Sequence, residues 1–201
     1  MPADALTGEA ASGTVAPVVV LDRDGVINHD SKDFIRTPAE WMPIAGSLEA
    51  IARLTRAGWL VFVATNQSGV GRGLITPASL TAIHARMTAA VEACGGRLAG
   101  IFWCPHRPDE GSDCRKPAPG RFRQIEAVLG RPLAGSPAIG DSARDLAAAR
   151  AAGARPILVR TGNGAATAAS LDEPVETYAD LAAVADALLA TAGKGAGKRT
   201  S

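Results

Sequence analysis

Val18-Val19-Val20-Leu21-Asp22-Arg23-Asp24-Gly25 runs four apolar residues straight into two carboxylates and a glycine. A short unbroken apolar run is the pattern of a strand buried on both faces, because a half-exposed strand would alternate. The pattern recurs outward from this point. Leu60 to Ala64, Gly100 to Trp103, Pro137 to Ile139 and Pro156 to Val159 read as four more buried strands. Between them, apolar residues fall at helical spacing. Leu48, Ile51 and Leu54 precede a stop at Gly58. Leu80, Ile83, Met87 and Val91 come after a Thr76-Pro77 start and end at Gly95-Gly96, with Thr76 at the N-cap and Pro77 at the first helical position. Phe122, Ile125 and Leu129 come after Pro119, and an alanine-rich helix runs from Asp141-Ser142 to Ala152, stopped by Gly153. Leu181, Val184 and Leu188 mark a closing helix. Strands alternating with helices predict an α/β fold: a doubly wound, mostly parallel sheet with a Rossmann-like core covered on both faces.

The chain of 201 residues suits one such domain, expected over 17–191. Residues 1–16, rich in Ala, Gly, Ser and Thr, read as a disordered lead-in, and 192–201 as a disordered tail. A formal net charge of +1 gives no electrostatic reason for a nucleic-acid or acidic-membrane partner. No apolar run approaches the roughly 20 residues that span a bilayer. Met1 to Pro17 carries Asp4 and Glu9 without Lys or Arg, unlike a secretory signal. Three cysteines are an odd count for a disulfide framework, so a reducing cytoplasm is expected. Ile27 to Pro43 fits neither period and is long for a strand-to-helix connection, as an active-site loop or flap would be.

Ligands of open α/β sheets bind at the carboxyl ends of the strands. Four strand ends carry polar groups here: Asp22-Arg23-Asp24-Gly25, Thr65-Asn66-Gln67-Ser68-Gly69, Cys104-Pro105-His106 with the loop to Arg115-Lys116-Pro117, and Gly140-Asp141-Ser142 with Asp145 one turn on. Clustered carboxylates repel unless a cation sits among them, and an all-oxygen site suits Mg²⁺. Asp22 has the chemistry of a nucleophile toward phosphorus, and Asp24 that of an acid and base for the leaving oxygen and for water. Thr65 and Lys116 would donate to phosphoryl oxygens as charge develops. Each motif alone has a plainer reading. The aspartates suit a solvated turn, Thr65 and Asp141 suit helix caps, and Lys116 and Arg115 suit surface charges. His29 and His84 read as surface residues, and Trp41, Trp59 and Trp103 as packing, with Trp41 near enough to the flap to meet a substrate.

Taken in order, these four motifs resemble those of the haloacid dehalogenase superfamily. The resemblance implies Asp22 as nucleophile, Asp24 as acid and base, and Mg²⁺ held by Asp22, the Asp24 carbonyl and Asp141. Ser142 is expected to support these groups, and Asp145 either to support them or to ligate. The runs Leu21 to Asn28, Ala64 to Gly69, Cys104-Pro105-His106 and Cys114-Arg115-Lys116-Pro117 are similar to the D-glycero-D-manno-heptose 1,7-bisphosphate 7-phosphatase family. These are cytoplasmic enzymes of the ADP-heptose route to lipopolysaccharide, and they share a subfamily with histidinol-phosphate phosphatases, the alternative substrate reading. The resemblance implies substrate contacts from Asp30, Ser31, Lys32 and Asp33, from Thr65, Asn66, Gln67 and Ser68, and from Arg115 with Lys116. Arg23 is counted with them. It implies a small sugar phosphate as partner, a minimal cap and a monomer.

Members of the family hold zinc through Cys-x-His and a later Cys-x-Cys. Here the first pair is Cys104-Pro105-His106, but the second reads Ser112-Asp113-Cys114. Closed structural zinc sites use four Cys or His ligands. Three ligands, completed by water or Asp113, would bind zinc more weakly. A loop with only seven residues between His106 and Cys114 also has a metal-free reading. A mutase or phosphotransferase would need a helical cap domain after the first motif, for which Ile27 to Pro43 is too short.

Overall fold

Strands form where the apolar runs lie; the first has the bounds of its run, and the next four extend one or two residues past theirs. The computed structural model describes residues 15–196. The strands are β1 (Val18–Leu21), β2 (Leu60–Asn66), β3 (Gly100–Cys104), β4 (Pro137–Gly140), β5 (Arg155–Val159) and β6 (Thr177–Tyr178). Among the described residues they make one sheet in the order β3-β2-β1-β4-β5-β6, with every neighbouring pair parallel. The helices are α1 (Ser47–Arg56), α2 (Ser68–Gly71), α3 (Pro77–Ala93), α4 (Gly120–Leu129), α5 (Ala143–Ala151), α6 (Gly164–Ser170) and α7 (Leu181–Ala196).

The pleat of β1 explains the double winding. Its side chains alternate between faces. Val19 and Leu21 join a core with Ile51 and Leu54 of α1, Ile83 and Met87 of α3, and Val184 and Leu188 of α7. Val18 and Val20 join a second core with Phe122 and Ile125 of α4 and Ala148 and Ala149 of α5. Every residue of β1 is buried, so the unbroken apolar run is what two cores demand. Each large aliphatic side chain withdrawn from water contributes roughly 1.5–3 kcal/mol. At the start of α3, the Thr76 side chain accepts a hydrogen bond from Ser79 N, as an N-cap does.

The strand order reverses between β1 and β4, which opens a crevice at their carboxyl ends. Leu21 pairs with Ile139, and Asp22 N donates to Ile139 O at 2.9 Å. The register therefore delivers Asp22 and Asp141 to neighbouring strand ends.

No cap domain interrupts residues 27–43, which form a loop with one 3₁₀ turn at Pro38–Glu40. Its base is stapled shut. Ile44 N donates to Ile27 O at 2.9 Å, the Ser47 hydroxyl donates to the same carbonyl at 2.7 Å, and Trp41 Nε1 donates to Asn28 Oδ1 at 2.9 Å. Trp41 is 1% exposed, so it packs and does not face a substrate.

The structure corrects several expectations. The sheet has a sixth strand, β6, which contributes only two residues. α2 and α6 have no counterpart in the sequence pattern: the first has four residues, and the second is a Gly/Ala/Thr/Ser segment without an apolar period. The last helix runs to Ala196, past the boundary expected at 191. The remainder of the expected tail, 197–201, and residues 1–14 of the expected lead-in lie outside the described residues. Among the described residues, no helix is long and apolar enough to cross a membrane.

Trp41→Phe removes one N–H donor and keeps an aromatic ring, leaving the buried Asn28 carbonyl oxygen without its partner. Denaturant titration is expected to show a loss of about 1–3 kcal/mol. An unchanged midpoint would contradict the stapled-loop reading.

Candidate active site

The ammonium of Lys116 sits at the centre of the crevice. It is 2.9 Å from Asp22 Oδ1 and 2.6 Å from Asp145 Oδ1, and it donates to Ala64 O at 2.8 Å. A lysine has three donors, and all three are used. β1, β2 and α5 are thereby tied together by one side chain that is 3% exposed. The backbone of Lys116 is clipped to β2 as well. Its N–H donates to Asn66 Oδ1 at 3.1 Å, and Asn66 Nδ2 donates to its carbonyl at 3.1 Å. Burial alone would lower the Lys116 pKa, but Asp145 and Asp22 outweigh it and hold the ammonium above its ordinary value.

Asp145 is fully engaged. Its other oxygen accepts from Ser142 N at 3.0 Å and from the Ser142 hydroxyl, closing a capping box at the start of α5. Burial pushes its carboxyl up, but the Lys116 charge and these hydrogen bonds outweigh that and hold it below the carboxylate range. The geometry thus gives Asp145 the supporting role.

Asp141 differs. Its Oδ2 accepts from Asn163 N at 2.8 Å and Asn163 Nδ2 at 3.2 Å. Its Oδ1 is buried without a hydrogen-bond partner among the described residues. A Cβ on Gly25 would lie 2.1 Å from Asp141 Oδ2, and one on Gly162 would lie 2.3 Å away. Both glycines have positive φ, +80° and +57°, so the cradle requires glycine on two counts. Asp22, Asp141 and Asp145 bring carboxylate oxygens within 4.8 Å of one another. Against these three carboxylates Lys116 is the one cation in direct contact among the described residues, with Arg144 acting from farther off on Asp141 and Asp145, and the excess of negative charge calls for a cation. An orphaned carboxylate oxygen in an all-oxygen cluster fits Mg²⁺. Asp22 and Asp141 are the groups with oxygens placed to hold it. Burial pushes the Asp22 carboxyl up to about 7, with Lys116 opposing and Asp145, Asp24 and Asp141 adding. Burial likewise raises Asp141 to about 6, against hydrogen bonds from Asn163.

Asp24 is surrounded by donors. Arg23 reaches it with Nε at 3.0 Å and Nη2 at 2.8 and 2.9 Å. Asn28 Nδ2 donates at 2.8 Å and Gln67 Nε2 at 2.9 Å. Burial works against ionisation, but Arg23 and these hydrogen bonds outweigh it and hold the carboxyl below its usual range. Gln67 Nε2 also donates to Thr65 Oγ1 at 3.0 Å, which turns the threonine hydroxyl proton away from it.

The pocket above these groups brings together Asp22, Arg23, Asp24, Thr65 and Gln67 with Asp30, Ser31, Asn66, Ser68 and Arg115. Phe34, Ile35 and Arg144 complete its wall and were not expected. Asp33 lines a neighbouring hollow with Arg36 and Glu40, and Lys32 lines neither. Arg23, expected among the substrate contacts, lines the pocket floor while its guanidinium is engaged below. It is 1% exposed, with its guanidinium on Asp24 and its Nη1 3.3 Å from His84 Nε2. His84, expected at the surface, is 8% exposed. Asn163 was also missed. Thr161-Gly162-Asn163 comes one residue after β5, so the strand-end rule that found the other motifs applies to it too.

Cys104, His106 and Cys114 form a second cluster, with ligand atoms within 4.8 Å. His106 Nδ1 is 3.5 Å from Cys104 Sγ and 3.1 Å from Cys114 Sγ. Ser112 Oγ lies 3.1 Å from Cys114 Sγ and accepts from Cys114 N at 3.3 Å. Burial raises Cys104. At Cys114 burial is outweighed by hydrogen bonds from Cys104, Ser112 and His106, which bring the thiol down to about 7. Two sulfurs and one imidazole suit zinc with an open fourth position. The loop also braces the pocket, since Arg115 Nη1 donates to His106 O at 3.0 Å.

The chain is similar to known proteins in both sequence and fold. Residues 113–187 match a hydrolase family model described as HAD-hydrolase-like. The chain is 53% identical over 174 residues to a D-glycero-beta-D-manno-heptose-1,7-bisphosphate 7-phosphatase of Bordetella bronchiseptica, covering 86% of this chain and 97% of that protein. It is 54% identical over 173 residues to the protein so named in Pseudomonas aeruginosa, covering 86% and 97%. A crystal structure of the B. bronchiseptica phosphatase complexed with magnesium and phosphate superposes with a TM-score of 0.85 at 52% identity, covering 87% of this chain and 99% of that one. The D,D-heptose 1,7-bisphosphate phosphatase of Burkholderia thailandensis does so with a TM-score of 0.68 at 42% identity, covering 86% and 98%.

Protons and Mg²⁺ compete for Asp22 and Asp141. Below their pKa values of about 7 and about 6, the cation must displace protons, so its apparent affinity rises with pH. Calorimetric titration of metal-free protein with Mg²⁺ is expected to show tightening from pH 5.5 to about 7 and a plateau above it, with protons released on the low side. An affinity independent of pH across this range would contradict the assignment.

Proposed function

This chain belongs to the D-glycero-beta-D-manno-heptose-1,7-bisphosphate 7-phosphatase family of HAD-like hydrolases, and we propose that it removes the C7 phosphate of that sugar with Asp22 as nucleophile. One observation carries the assignment of Asp22: the buried Lys116 ammonium on Asp22 Oδ1, beside the unpartnered Asp141 Oδ1. Asp22 is thus an aligned carboxylate next to an oxygen with coordinating capacity to spare.

The chemistry divides into two displacements. Asp22 attacks phosphorus, the bond to the C7 oxygen breaks, and Asp24 gives that oxygen its proton. Asp24 then takes a proton from water, which attacks the aspartyl phosphate and frees inorganic phosphate and Asp22. Arg23, Asn28 and Gln67 hold Asp24 as the carboxylate, the form that activates water. A bound phosphate dianion beside it raises its proton affinity for the first step. The Thr65 hydroxyl stands on the pocket wall able to donate to the oxygens on which charge develops, and the Lys116 ammonium adds positive charge from behind Asp22. Asp22, the Asp24 carbonyl and Asp141 would hold the magnesium ion, which would supply positive charge to the transferring group when bound.

The substrate carries a second phosphate, and Arg115 and Arg144 stand on the pocket wall as guanidinium groups able to pair with it. Asp30, Ser31 and Ser68 offer polar contacts for the sugar hydroxyls. The relatives' names specify the beta anomer, which is the anomer proposed here. The same reading includes water as acceptor, a monomer, a cytoplasmic reaction that supplies ADP-heptose for lipopolysaccharide, and a zinc ion on Cys104, His106 and Cys114.

Three measurements bear on this. Asp22→Asn is expected to lower phosphate release by several orders of magnitude, and near-normal activity would refute the nucleophile. On a substrate panel, the heptose bisphosphate is expected to exceed histidinol phosphate in kcat/KM by at least about a hundredfold, as discrimination by polar contacts to the sugar and its second phosphate allows. A preference for histidinol phosphate would overturn the substrate. Protein purified without chelator is expected to hold about one zinc per chain, as a three-ligand site permits. Less than about 0.2 would remove zinc from the account.

A further inference from the structure

We propose that His84 is a positioning residue for the acid–base carboxylate: it accepts a hydrogen bond from Arg23 and thereby fixes the guanidinium that holds Asp24. The inference rests on the reading of Asp24 as acid and base. His84 lies on α3, among residues that pack into the core. Leu80, Ile83, Met87 and Val91 are fully buried there. An imidazole in such a place is costly unless its nitrogens are partnered. Its Nε2 lies 3.3 Å from Arg23 Nη1.

Donor chemistry decides the direction of this bond. A guanidinium has five N–H donors and no acceptor. His84 Nε2 must therefore accept, and its proton sits on Nδ1. A neutral ring is also what burial and the Arg23 charge impose, since they bring the His84 pKa down to about 4.

Arg23 is held from two sides. Nε and Nη2 fork onto Asp24, and Nη1 points to His84. Arg23 is 1% exposed, so solvent offers Nη1 no substitute partner. Without His84 the guanidinium loses its second anchor, and the fork on Asp24 is no longer fixed in its angle. His84 touches neither substrate nor reacting atoms, so its effect passes through Arg23 to Asp24.

The test is steady-state kinetics of the full chain with Mg²⁺ and the heptose bisphosphate, alongside thermal melting. His84→Phe keeps a ring without an acceptor. Its kcat is expected to fall about tenfold with KM within about twofold, a modest share of what acid–base catalysis supplies. His84→Gln restores an acceptor and is expected to recover kcat to within about threefold of the parent. In an Arg23→Lys background, His84→Phe is expected to add less than about a twofold loss, because the fork is already gone. A folded His84→Phe protein with parental kcat overturns the proposal. So does His84→Gln no better than His84→Phe, or losses that multiply in the double variant. If His84→Phe does not fold, His84→Met takes its place in each comparison, and parental kcat in it overturns the proposal equally. Asp24→Asn is the control for the underlying reading: unimpaired turnover in that variant overturns both.

Discussion

A single buried ammonium organises the catalytic end of the sheet. Lys116 Nζ binds Asp22, Asp145 and the Ala64 carbonyl at once, so the ends of β1 and β2 and the start of α5 share one fixed point. Buried ions are costly unless their charge and hydrogen bonds are satisfied. The Lys116 charge is satisfied, but the cluster as a whole is not. Asp22, Asp141 and Asp145 are buried together, and one ammonium offsets one of them. Asp24 is balanced separately by Arg23. The remaining excess is what creates affinity for a divalent cation, and in its absence for protons on Asp22 and Asp141. Nucleophile alignment and metal demand are thus two consequences of one charge arrangement.

Around this centre, residues divide by whether they face the pocket or hold something that does. Asn66 is occupied with the Lys116 backbone, Gln67 with Asp24 and Thr65, and Arg115 is braced by the His106 carbonyl. The loop that carries the cysteines therefore acts on the pocket through Arg115, and its end delivers Lys116 to Asp22. Gly25 and Gly162 serve by being small, since a side chain on either would occupy the space of the Asp141 carboxylate.

Much of this was legible in the sequence because buried parallel strands announce themselves. Val18 to Leu21 is apolar at every position, and the residues just past the end of such a strand face the crevice in this fold. That rule located Asp22, Asp24, Thr65, Lys116 and Asp141. It did not reveal that Lys116 pairs with Asp145, because a contact between residues 29 positions apart on different elements has no local signature. Arg23 reads as a substrate contact from its neighbours; it does line the pocket, but its pairing with Asp24 and His84 has no local signature. His84 comes next to Ile83 on a helix whose periodicity is carried by aliphatic residues, and nothing in that period separates a core histidine from a surface one. β6, with two residues, is too short to produce a pattern, and α6 has alanines where a period would need larger side chains.

The central claim is that phosphate passes through Asp22. Rapid acid quench of the enzyme turning over heptose bisphosphate, with borohydride reduction and peptide mass spectrometry afterwards, tests it directly. Borohydride converts an acyl phosphate on aspartate to homoserine. Homoserine is expected at position 22 and at no other aspartate, appearing only with substrate present. Homoserine at another position, or an unmodified Asp22 in protein quenched during rapid turnover, would contradict the claim.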